Sequence, residues 1–149
     1  MQQQPSLRTI LLVEDNVDDY EAAVRSFKAA HLDNPVHWCK SGKEALAYLK
    51  GDDPFAEAPA GPRPALILLD LNMPGMDGKT FLTIAKQDPA LKRIPIIVLT
   101  TSGDERDVTA CYELGASTYI QKPVDFDGLI RAVVGIKDYW FGVALLPEE

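Results

Sequence analysis

The sequence has few cysteines, few positive charges and no long hydrophobic run. Of its 149 residues only two are cysteines, Cys39 and Cys111, and they lie far apart with no CxxC or Cys/His ligand spacing. Such usage is not that of a disulfide scaffold and favours a reducing, cytoplasmic setting. We interpret both cysteines as buried small side chains.

Lysine and arginine number 15 against 22 acidic residues, a net charge of −7 with a pI near 4.8. This balance argues against nucleic acid or an anionic membrane as a partner and favours a protein or a cation. The start MQQQPSLRTI lacks the cationic and apolar regions of a signal peptide. No apolar run approaches the roughly 18 residues of a membrane span, so neither secretion nor membrane insertion is predicted.

Hydrophobic residues make up 46% of the chain and charged residues 25%, which predicts one globular domain over residues 1–149. Short apolar runs alternate regularly with amphipathic segments of helical length. Five such units predict a doubly wound α/β domain, a parallel sheet with helices on both faces. The predicted strands are Thr9–Val13, Val36–Cys39, Ala65–Leu69, Ile94–Leu99 and Ser117–Ile120, and the predicted helices are Asp18–His31, Ser41–Lys50, Gly78–Gln87, Asp104–Leu114 and Asp125–Tyr139.

Two of the predicted helices are preceded by a capping-box signature. Ser41 is followed three residues later by Glu44, and Ser102 is followed in the same way by Glu105. In this arrangement the serine hydroxyl and the glutamate carboxylate accept bonds from backbone N–H groups at the helix start. Both serines are therefore predicted to be N-caps.

Polar residues follow four of the five predicted strands. In an open parallel sheet, ligands bind outside the carboxyl ends of the strands, so these residues should meet at one edge. After the second strand only a loop and a cap are predicted, without chemistry. The four polar segments are Glu14-Asp15-Asn16, Asp70-Leu71-Asn72, Thr100-Thr101-Ser102 and Gln121-Lys122-Pro123.

Three acids brought to one edge, Glu14, Asp15 and Asp70, would repel one another unless a cation offset them. Magnesium takes oxygen ligands and is commonly held by one or two carboxylates together with a phosphate oxygen. An aspartate beside such an ion can act as a nucleophile and form an aspartyl phosphate. The Thr100 hydroxyl and the Lys122 ammonium would then bind phosphoryl oxygens.

Four segments carry a family resemblance over nearly the whole chain. They are LLVEDN (Leu11–Asn16), LLDLNMPGMDG around Asp70, VLTTS (Val98–Ser102) and YIQKP (Tyr119–Pro123). Together they resemble the receiver domain of bacterial two-component response regulators. The resemblance implies a flavodoxin-like fold with strand order 2-1-3-4-5 and five helices, in which Asp70 accepts a phosphoryl group from a histidine kinase.

The same resemblance implies the roles of the surrounding residues. Asp15, Asp70 and the backbone carbonyl of Asn72 would ligate magnesium, or manganese in its place, with Glu14 acting nearby through water. Thr100, Tyr119 and Lys122 match the family's switch residues: the hydroxyl follows the phosphoryl group and the aromatic ring moves inward behind it. Such a protein is a signalling switch rather than an enzyme, since it catalyses only its own phosphoryl acceptance and autodephosphorylation.

The Lys122–Pro123 bond resembles a family feature in which this peptide is cis. An X–Pro bond is the one place where the cis form has a low free-energy cost. The sequence itself leaves the cis or trans state of this bond open.

The segments VLTTS, Lys122–Phe126 (KPVDF) and Tyr139–Pro147 (YWFGVALLP) resemble most the short response regulators paired with phytochrome-type histidine kinases. The implied partner is then a histidine kinase of the bacteriophytochrome type. No basic recognition helix, linker or second domain follows in the sequence, so output by DNA binding is not expected. Transfer of the phosphoryl group onward to a histidine phosphotransfer protein stays open as an alternative.

Two other functions on related folds fit the residues less well. A phosphohydrolase of the haloacid dehalogenase type needs a second aspartate two residues after the nucleophile, where this chain has Asn72. A flavin-binding module needs a hydroxyl- and glycine-rich loop after the first strand, where this chain has two acids. A scaffold that works without phosphorylation would not need Asp15, Asp70, Thr100 and Lys122 together.

Three peripheral segments carry further expectations. Residues 1–7 are expected to be flexible, and the proline-rich stretch 51–64 is expected to be a surface loop without a chemical role. The last helix and the tail at 142–149 have more apolar residues than one sheet-facing stripe requires, which predicts a homodimer, with packing of the tail on its own domain as the alternative. The apolar residues concerned are Leu129, Ile130, Val133, Val134, Ile136, Trp140, Phe141, Val143, Leu145 and Leu146.

Overall fold

The computed structural model of the protein describes residues 7–51 and 62–147. Most of the segment expected to be flexible, residues 1–6, lies outside this part of the chain. So do residues 52–61 of the predicted surface loop and the last two residues of the tail. The described residues contain no helix that is both long and apolar enough to cross a membrane.

The five strands form one parallel sheet in the order β2-β1-β3-β4-β5. This order confirms the predicted fold class, a doubly wound, flavodoxin-like α/β domain. The connection after β1 runs outward to one edge, and the connections after β2 run back across the sheet, so the switch point lies between β1 and β3. The strands are β1 (Ile10–Val13), β2 (Val36–Cys39), β3 (Leu66–Leu69), β4 (Ile96–Thr100) and β5 (Thr118–Gln121).

Each of the five helices begins at a side chain that caps it. Asn16, Ser41, Asp77, Asp104 and Asp125 each accept a hydrogen bond from a backbone N–H in the first turn, which satisfies a donor that has no partner within the helix. The helices are α1 (Val17–Ala29), α2 (Gly42–Lys50), α3 (Gly78–Gln87), α4 (Glu105–Glu113) and α5 (Phe126–Asp138).

One of the two predicted capping boxes is confirmed and the other is wrong. Ser41 caps α2 by accepting from Glu44 N–H at 3.0 Å, and the Glu44 carboxylate accepts from Lys40 N–H at 3.1 Å. Ser102 does not cap α4, because its hydroxyl donates to the Asp107 carboxylate at 2.6 Å. Asp104 takes the N-cap position instead, and its carboxylate accepts from Arg106 N–H at 2.9 Å.

The sheet is buried on both faces, and alternate residues of the central strands enter two separate cores. In β1, Leu11 and Val13 pack in a first cluster with side chains of α2, α3 and α4. Ile10 and Leu12 pack in a second cluster with side chains of α1 and α5. This alternation explains why the central strands are apolar throughout. Cys39 lies fully buried in the first cluster, as predicted.

The last helix passes into a π-helical turn, Tyr139–Val143, and then into an extended tail. Trp140 and Phe141, counted among the surplus apolar residues, pack against the second core cluster of their own domain. The end of the tail is bonded to the same domain, since Arg8 Nη1 donates to the Pro147 carbonyl at 2.7 Å. Large apolar side chains still exposed at this end of the molecule are Val134, Tyr139, Val143 and Leu145.

The Lys122–Pro123 peptide bond, whose cis or trans state the sequence leaves open, is trans. The trans form of an X–Pro bond is lower in free energy by about 0.5–1 kcal/mol. The preceding backbone is unaffected, because Lys122 N–H donates to the Thr100 carbonyl at 2.6 Å and keeps β5 paired with β4 up to this bond.

Gly78 joins the end of β3 to the start of α3 at very close range. A Cβ atom at this position would lie 2.6 Å from the Asp70 carbonyl oxygen and 2.6 Å from Leu71 Cα. Both atoms belong to the backbone and cannot rotate away. The close approach lets the chain leave β3, form the turn and begin α3 without moving Asp70.

We predict that Gly78→Ala lowers the free energy of unfolding by about 1–3 kcal/mol, the range seen when atoms are forced into a packed site. Gly135→Ala is the matched control, because a Cβ atom there has open space within 4 Å in the middle of α5. That change should stabilise the protein by about 0.5–1 kcal/mol. Urea denaturation measures both values, and equal effects at the two glycines would contradict the close approach.

Candidate functional site

The acidic segments after β1 and β3 meet at the carboxyl edge of the sheet. β1 and β3 are neighbours, and their last residues, Val13 and Leu69, are paired. The residues that follow, Glu14, Asp15 and Asp70, therefore emerge side by side. Each of these three offers a carboxylate oxygen within 4.8 Å of the other two, so the predicted cluster is present.

The three carboxylates differ in exposure. Glu14 is 3% exposed and Asp70 is 8% exposed, whereas Asp15 is open to solvent. The backbone of Asp70 is held by β1, because Asp70 N–H donates to the Val13 carbonyl at 3.0 Å. The phosphoacceptor candidate thus lies at the floor of the site, with Asp15 at its rim.

Lys122 reaches the cluster from the far side of the sheet, where β5 ends. Its Nζ lies 2.7 Å from Glu14 Oε1 and 3.7 Å from Asp19 Oδ2. The side chain is mostly buried, at 16% exposure. Lys122 is therefore paired with Glu14, and the sheet brings together all four of the charged residues predicted for this edge.

Burial and charge act in opposite directions on the Glu14–Lys122 pair. The pKa of Glu14 is raised to about 7 by all its neighbours together. Loss of water raises it most and the charge of Asp70 adds to the rise, whereas Lys122 lowers it. Burial on its own lowers the pKa of Lys122, but the hydrogen bond and charge of Glu14, with the charges of Asp70 and Asp19, raise it above its ordinary value. Lys122 therefore stays charged, while the cluster around it has an excess of negative charge.

Thr100 and Asn72 lie at the carboxyl ends of β4 and β3, at the same edge of the sheet, and their side chains are in contact. Thr100 ends β4 and is fully buried, and Asn72 Nδ2 lies 3.5 Å from its hydroxyl oxygen as a donor. The Thr100 side chain thus has a long, weak bond that a better partner can replace. The role of the Asn72 carbonyl as a metal ligand stays a prediction.

Tyr119 is linked to the loop after β4 by its hydroxyl group. The ring packs against the first core cluster, and the hydroxyl donates to the Ser102 carbonyl at 2.8 Å. The Ser102 hydroxyl in turn donates to Asp107 of α4, which also pairs with Lys79 of α3. A continuous set of polar contacts therefore joins β5, the loop after β4, α4 and α3.

Two residues of the site were not predicted from the sequence. Asp19 approaches Lys122 from the first turn of α1, where an acid is equally explained as a favourable helix-terminal charge. Trp38 donates its indole N–H to the Glu14 carbonyl at 2.6 Å from the edge strand β2. No local sequence signal distinguishes this tryptophan from an ordinary strand residue.

The donor set fits a hard divalent cation. Three carboxylates within 4.8 Å offer oxygen ligands only, and oxygen is what Mg²⁺ and Mn²⁺ prefer. A carboxylate beside such a cation has the chemistry of a nucleophile, and Asp70 is the buried aspartate of the cluster.

Comparison with known proteins agrees with this geometry. The family described as "Response regulator receiver domain" matches residues 10–134 of the chain. The chain is 40% identical to the response regulator Rcp1 of Synechocystis sp. over 140 residues, which cover 94% of this chain and 93% of that protein.

Two solved structures are similar along almost the whole chain. The phosphorylated cyanobacterial phytochrome response regulator RcpA has a TM-score of 0.86 and 39% identity, covering 96% of this chain and 100% of RcpA. The Mn²⁺-bound form of response regulator Rcp1 has a TM-score of 0.83 and 40% identity, covering 95% of this chain and 99% of that one.

We predict that Asp70→Asn raises the free energy of unfolding in the presence of EDTA. Like charges 4 Å apart repel by about 4 kcal/mol at an effective dielectric constant of 20, and Lys122 offsets part of this, so a gain of about 1 kcal/mol is expected. Asp33→Asn is the control, since Asp33 is an exposed acid in the loop before β2. Urea denaturation is the measurement, and a loss of stability in Asp70→Asn would contradict the repulsion.

Proposed function

Because the chain belongs to the response regulator receiver domain family, we propose that it is a phosphoacceptor switch of a two-component system. A histidine kinase donates the phosphoryl group and Asp70 accepts it. The observation that carries the proposal is the geometry of Asp70, a carboxylate at the end of a buried strand with two further acids within 4.8 Å.

We propose that Asp15, Asp70 and the backbone carbonyl of Asn72 hold Mg²⁺, or Mn²⁺ in its place, with Glu14 acting nearby through water. The relative Rcp1 has been solved in an Mn²⁺-bound form, which supports a divalent ion here. The bound ion supplies positive charge that offsets the carboxylates and the incoming phosphoryl oxygens. Asp15 is the exposed member of the cluster, so it is the ligand that solvent reaches first.

In the transfer itself, an Asp70 oxygen attacks phosphorus. A P–O bond to Asp70 forms as the P–N bond to the kinase histidine breaks, and the bonding electrons return to the imidazole ring. With an acyl phosphate as donor, the bond that breaks is P–O and a carboxylate leaves. Lys122 and Thr100 then exchange their present partners, Glu14 and Asn72, for phosphoryl oxygens.

The exchange provides the switch. Thr100 moves toward the phosphoryl group, and Tyr119 follows it through the bond to Ser102 in the same loop. Moving a two-state equilibrium from mostly off to mostly on takes about 5.5 kcal/mol of differential interaction. A few charge-assisted hydrogen bonds to the phosphoryl group are enough for this.

The partner we propose is a phytochrome-type histidine kinase in the cytoplasm. The support is the similarity to RcpA, a phytochrome response regulator, over 96% of this chain. We expect the output to be protein contact rather than DNA binding, in keeping with the net charge of −7. Onward transfer to a histidine phosphotransfer protein is the alternative output, and no contact in the described chain favours it.

Hydrolysis of small phosphate esters is not proposed. The position two residues after Asp70, which carries the general acid in phosphohydrolases of this type, is Asn72. Its side-chain amide is a donor toward Thr100 and has no acidic proton to give to a leaving group. The reaction at Asp70 is therefore limited to acceptance and later loss of one phosphoryl group.

We also propose that the chain forms a homodimer through α5 and the tail. Exposed apolar side chains occur in the helix, in the π-turn and in the tail: Val134, Tyr139, Val143 and Leu145. Leu145 is 99% exposed although it lies between half-buried neighbours. A second copy of the same surface would cover these side chains.

We predict that Asp70→Asn abolishes labelling by an acyl phosphate, because an amide oxygen is too weak a nucleophile to replace the carboxylate. The measurement is incorporation of ³²P from acetyl phosphate in the presence of Mg²⁺. Asp18→Asn is the matched control, since Asp18 is an exposed acid in the first turn of α1. Undiminished incorporation in Asp70→Asn would overturn the site assignment.

Asp15→Asn is a second arm of the same experiment. This substitution keeps the Asp70 nucleophile but removes one metal ligand, so it should weaken Mg²⁺ binding and slow labelling. The rate of labelling should recover as the Mg²⁺ concentration is raised. Unchanged metal affinity in this variant would count against the proposed ligand set.

We predict a dimer in sedimentation experiments at high micromolar concentration, measured with and without a beryllium fluoride mimic of the phosphoryl group. Leu145→Asp should shift the protein to monomer by placing a charge in the interface. Val124→Asp is the control, because Val124 is fully exposed at the opposite end of α5. A wild-type monomer under both conditions would defeat the proposal.

A further inference from the structure

Trp38 lies outside the carboxylate cluster but is bonded to its backbone. The side chain comes from the edge strand β2, and its indole N–H donates to the Glu14 carbonyl oxygen at 2.6 Å. Glu14 is the first residue after β1, and the next residue is Asp15, the exposed member of the cluster. Trp38 therefore holds the peptide that joins two of the three acids.

The indole replaces a backbone donor. β1 and β2 pair up to Val13 and Cys39, and Glu14 N–H still donates to the Cys39 carbonyl at 3.0 Å. Beyond Cys39 the chain turns into α2, where Lys40 N–H bonds to the Glu44 side chain. The backbone N–H of Lys40 is therefore not directed at the Glu14 carbonyl. The Trp38 indole N–H donates to this carbonyl in its place.

This bond fixes the plane of the Glu14–Asp15 peptide. In a trans peptide the C=O and the N–H point in opposite directions. Because the Trp38 indole holds the Glu14 carbonyl, Asp15 N–H points away from the indole. On the following side, Asn16 N–H donates to Glu14 Oε2 at 3.3 Å and its side chain caps α1. Asp15 is exposed, yet it lies between two restrained residues.

The tryptophan ring is itself restrained. It stacks on Tyr20 of α1 with 3.8 Å between ring centroids and 12° between planes, and Lys40 Nζ lies 5.0 Å from the indole ring. Tyr20 stands one turn after Asn16 on the same helix, so the ring is anchored to the element that Asn16 begins. The donor position of the indole is thereby set before any ligand binds.

We propose that Trp38 is a positioning residue of the metal site, which fixes the Glu14–Asp15 peptide so that the Asp15 carboxylate faces Glu14 and Asp70. This inference rests on the proposed metal-dependent function. The Trp38 bond is expected to increase the affinity of the site for Mg²⁺, because an Asp15 that is already ordered loses less conformational entropy when the ion binds. The reactivity of Asp70 with the ion bound is unaffected.

Trp38→Phe tests the inference, since it keeps an aromatic ring on Tyr20 and removes the N–H donor. Calorimetric titration should show a rise of about three- to tenfold in the Mg²⁺ dissociation constant, the size expected for one net hydrogen bond. Labelling by acetyl phosphate should need correspondingly more Mg²⁺ but reach a rate within twofold of wild type at saturation. Trp140→Phe, at the other tryptophan of the chain, should change neither quantity.

A readout without metal separates positioning from simple packing. In the metal-free protein, ¹⁵N NMR of Trp38→Phe should show shifted amide signals for Asp15 and Asn16, while Trp140→Phe leaves them in place. On Mg²⁺ titration of wild type, the Trp38 indole signal should move with the calorimetric midpoint. If Trp38→Phe folds poorly, β-(3-benzothienyl)alanine at position 38 keeps the shape of the ring and lacks only the N–H.

The outcomes distinguish the two proposals. Failure of wild type to bind Mg²⁺ would overturn the proposed function and this inference with it. Normal binding by wild type with an equal dissociation constant in Trp38→Phe would overturn the positioning role alone. A lower melting temperature with unchanged Mg²⁺ affinity has the same meaning, since it would show that Trp38 acts only in packing.

Discussion

The pairing of β1 with β3 is the constraint on which the rest of the site depends. It brings three carboxylates within 4.8 Å, an arrangement that electrostatic repulsion opposes. One ammonium group, Lys122, lies 2.7 Å from Glu14 and offsets part of that repulsion. The remaining repulsion is opposed by the hydrophobic free energy of burying both faces of the central strands. This burial holds the strand ends together whether or not a cation is present.

Because burial of the strands opposes repulsion between the carboxylates, the acidic residues can follow the most apolar segments of the chain. Leu66–Leu69 is buried on both faces, and Asp70 follows without a spacer. Burial of β3 and the close approach of Gly78 to the Asp70 carbonyl hold Asp70 in one position, as the proposed role of a nucleophile requires.

Residue patterning predicted the α/β class and the meeting of four strand ends, because hydrophobic periodicity and the geometry of parallel sheets are local or general properties. It did not predict Asp19 or Trp38 in the site, since their contacts depend on how α1 and β2 lie against the Glu14 segment. The Ser102 cap was wrong for a related reason: the serine hydroxyl bonds to Asp107. The spacing of a motif predicts which side chains are available to form hydrogen bonds. The tertiary packing determines which partner each side chain binds.

The site residues divide into those that are fixed and those that can exchange partners. Asp70 and Glu14 are tied by backbone bonds to neighbouring strands, through the Val13 and Cys39 carbonyls. The Thr100 hydroxyl is held by Asn72 at 3.5 Å, and the Lys122 ammonium by Glu14 at 2.7 Å and Asp19 at 3.7 Å. In the proposed function, a phosphoryl group on Asp70 would offer both a stronger acceptor. The change of partners would then move the ends of β4 and β5 and leave β1 and β3 in place. A switch built in this way separates the chemistry from the motion it drives.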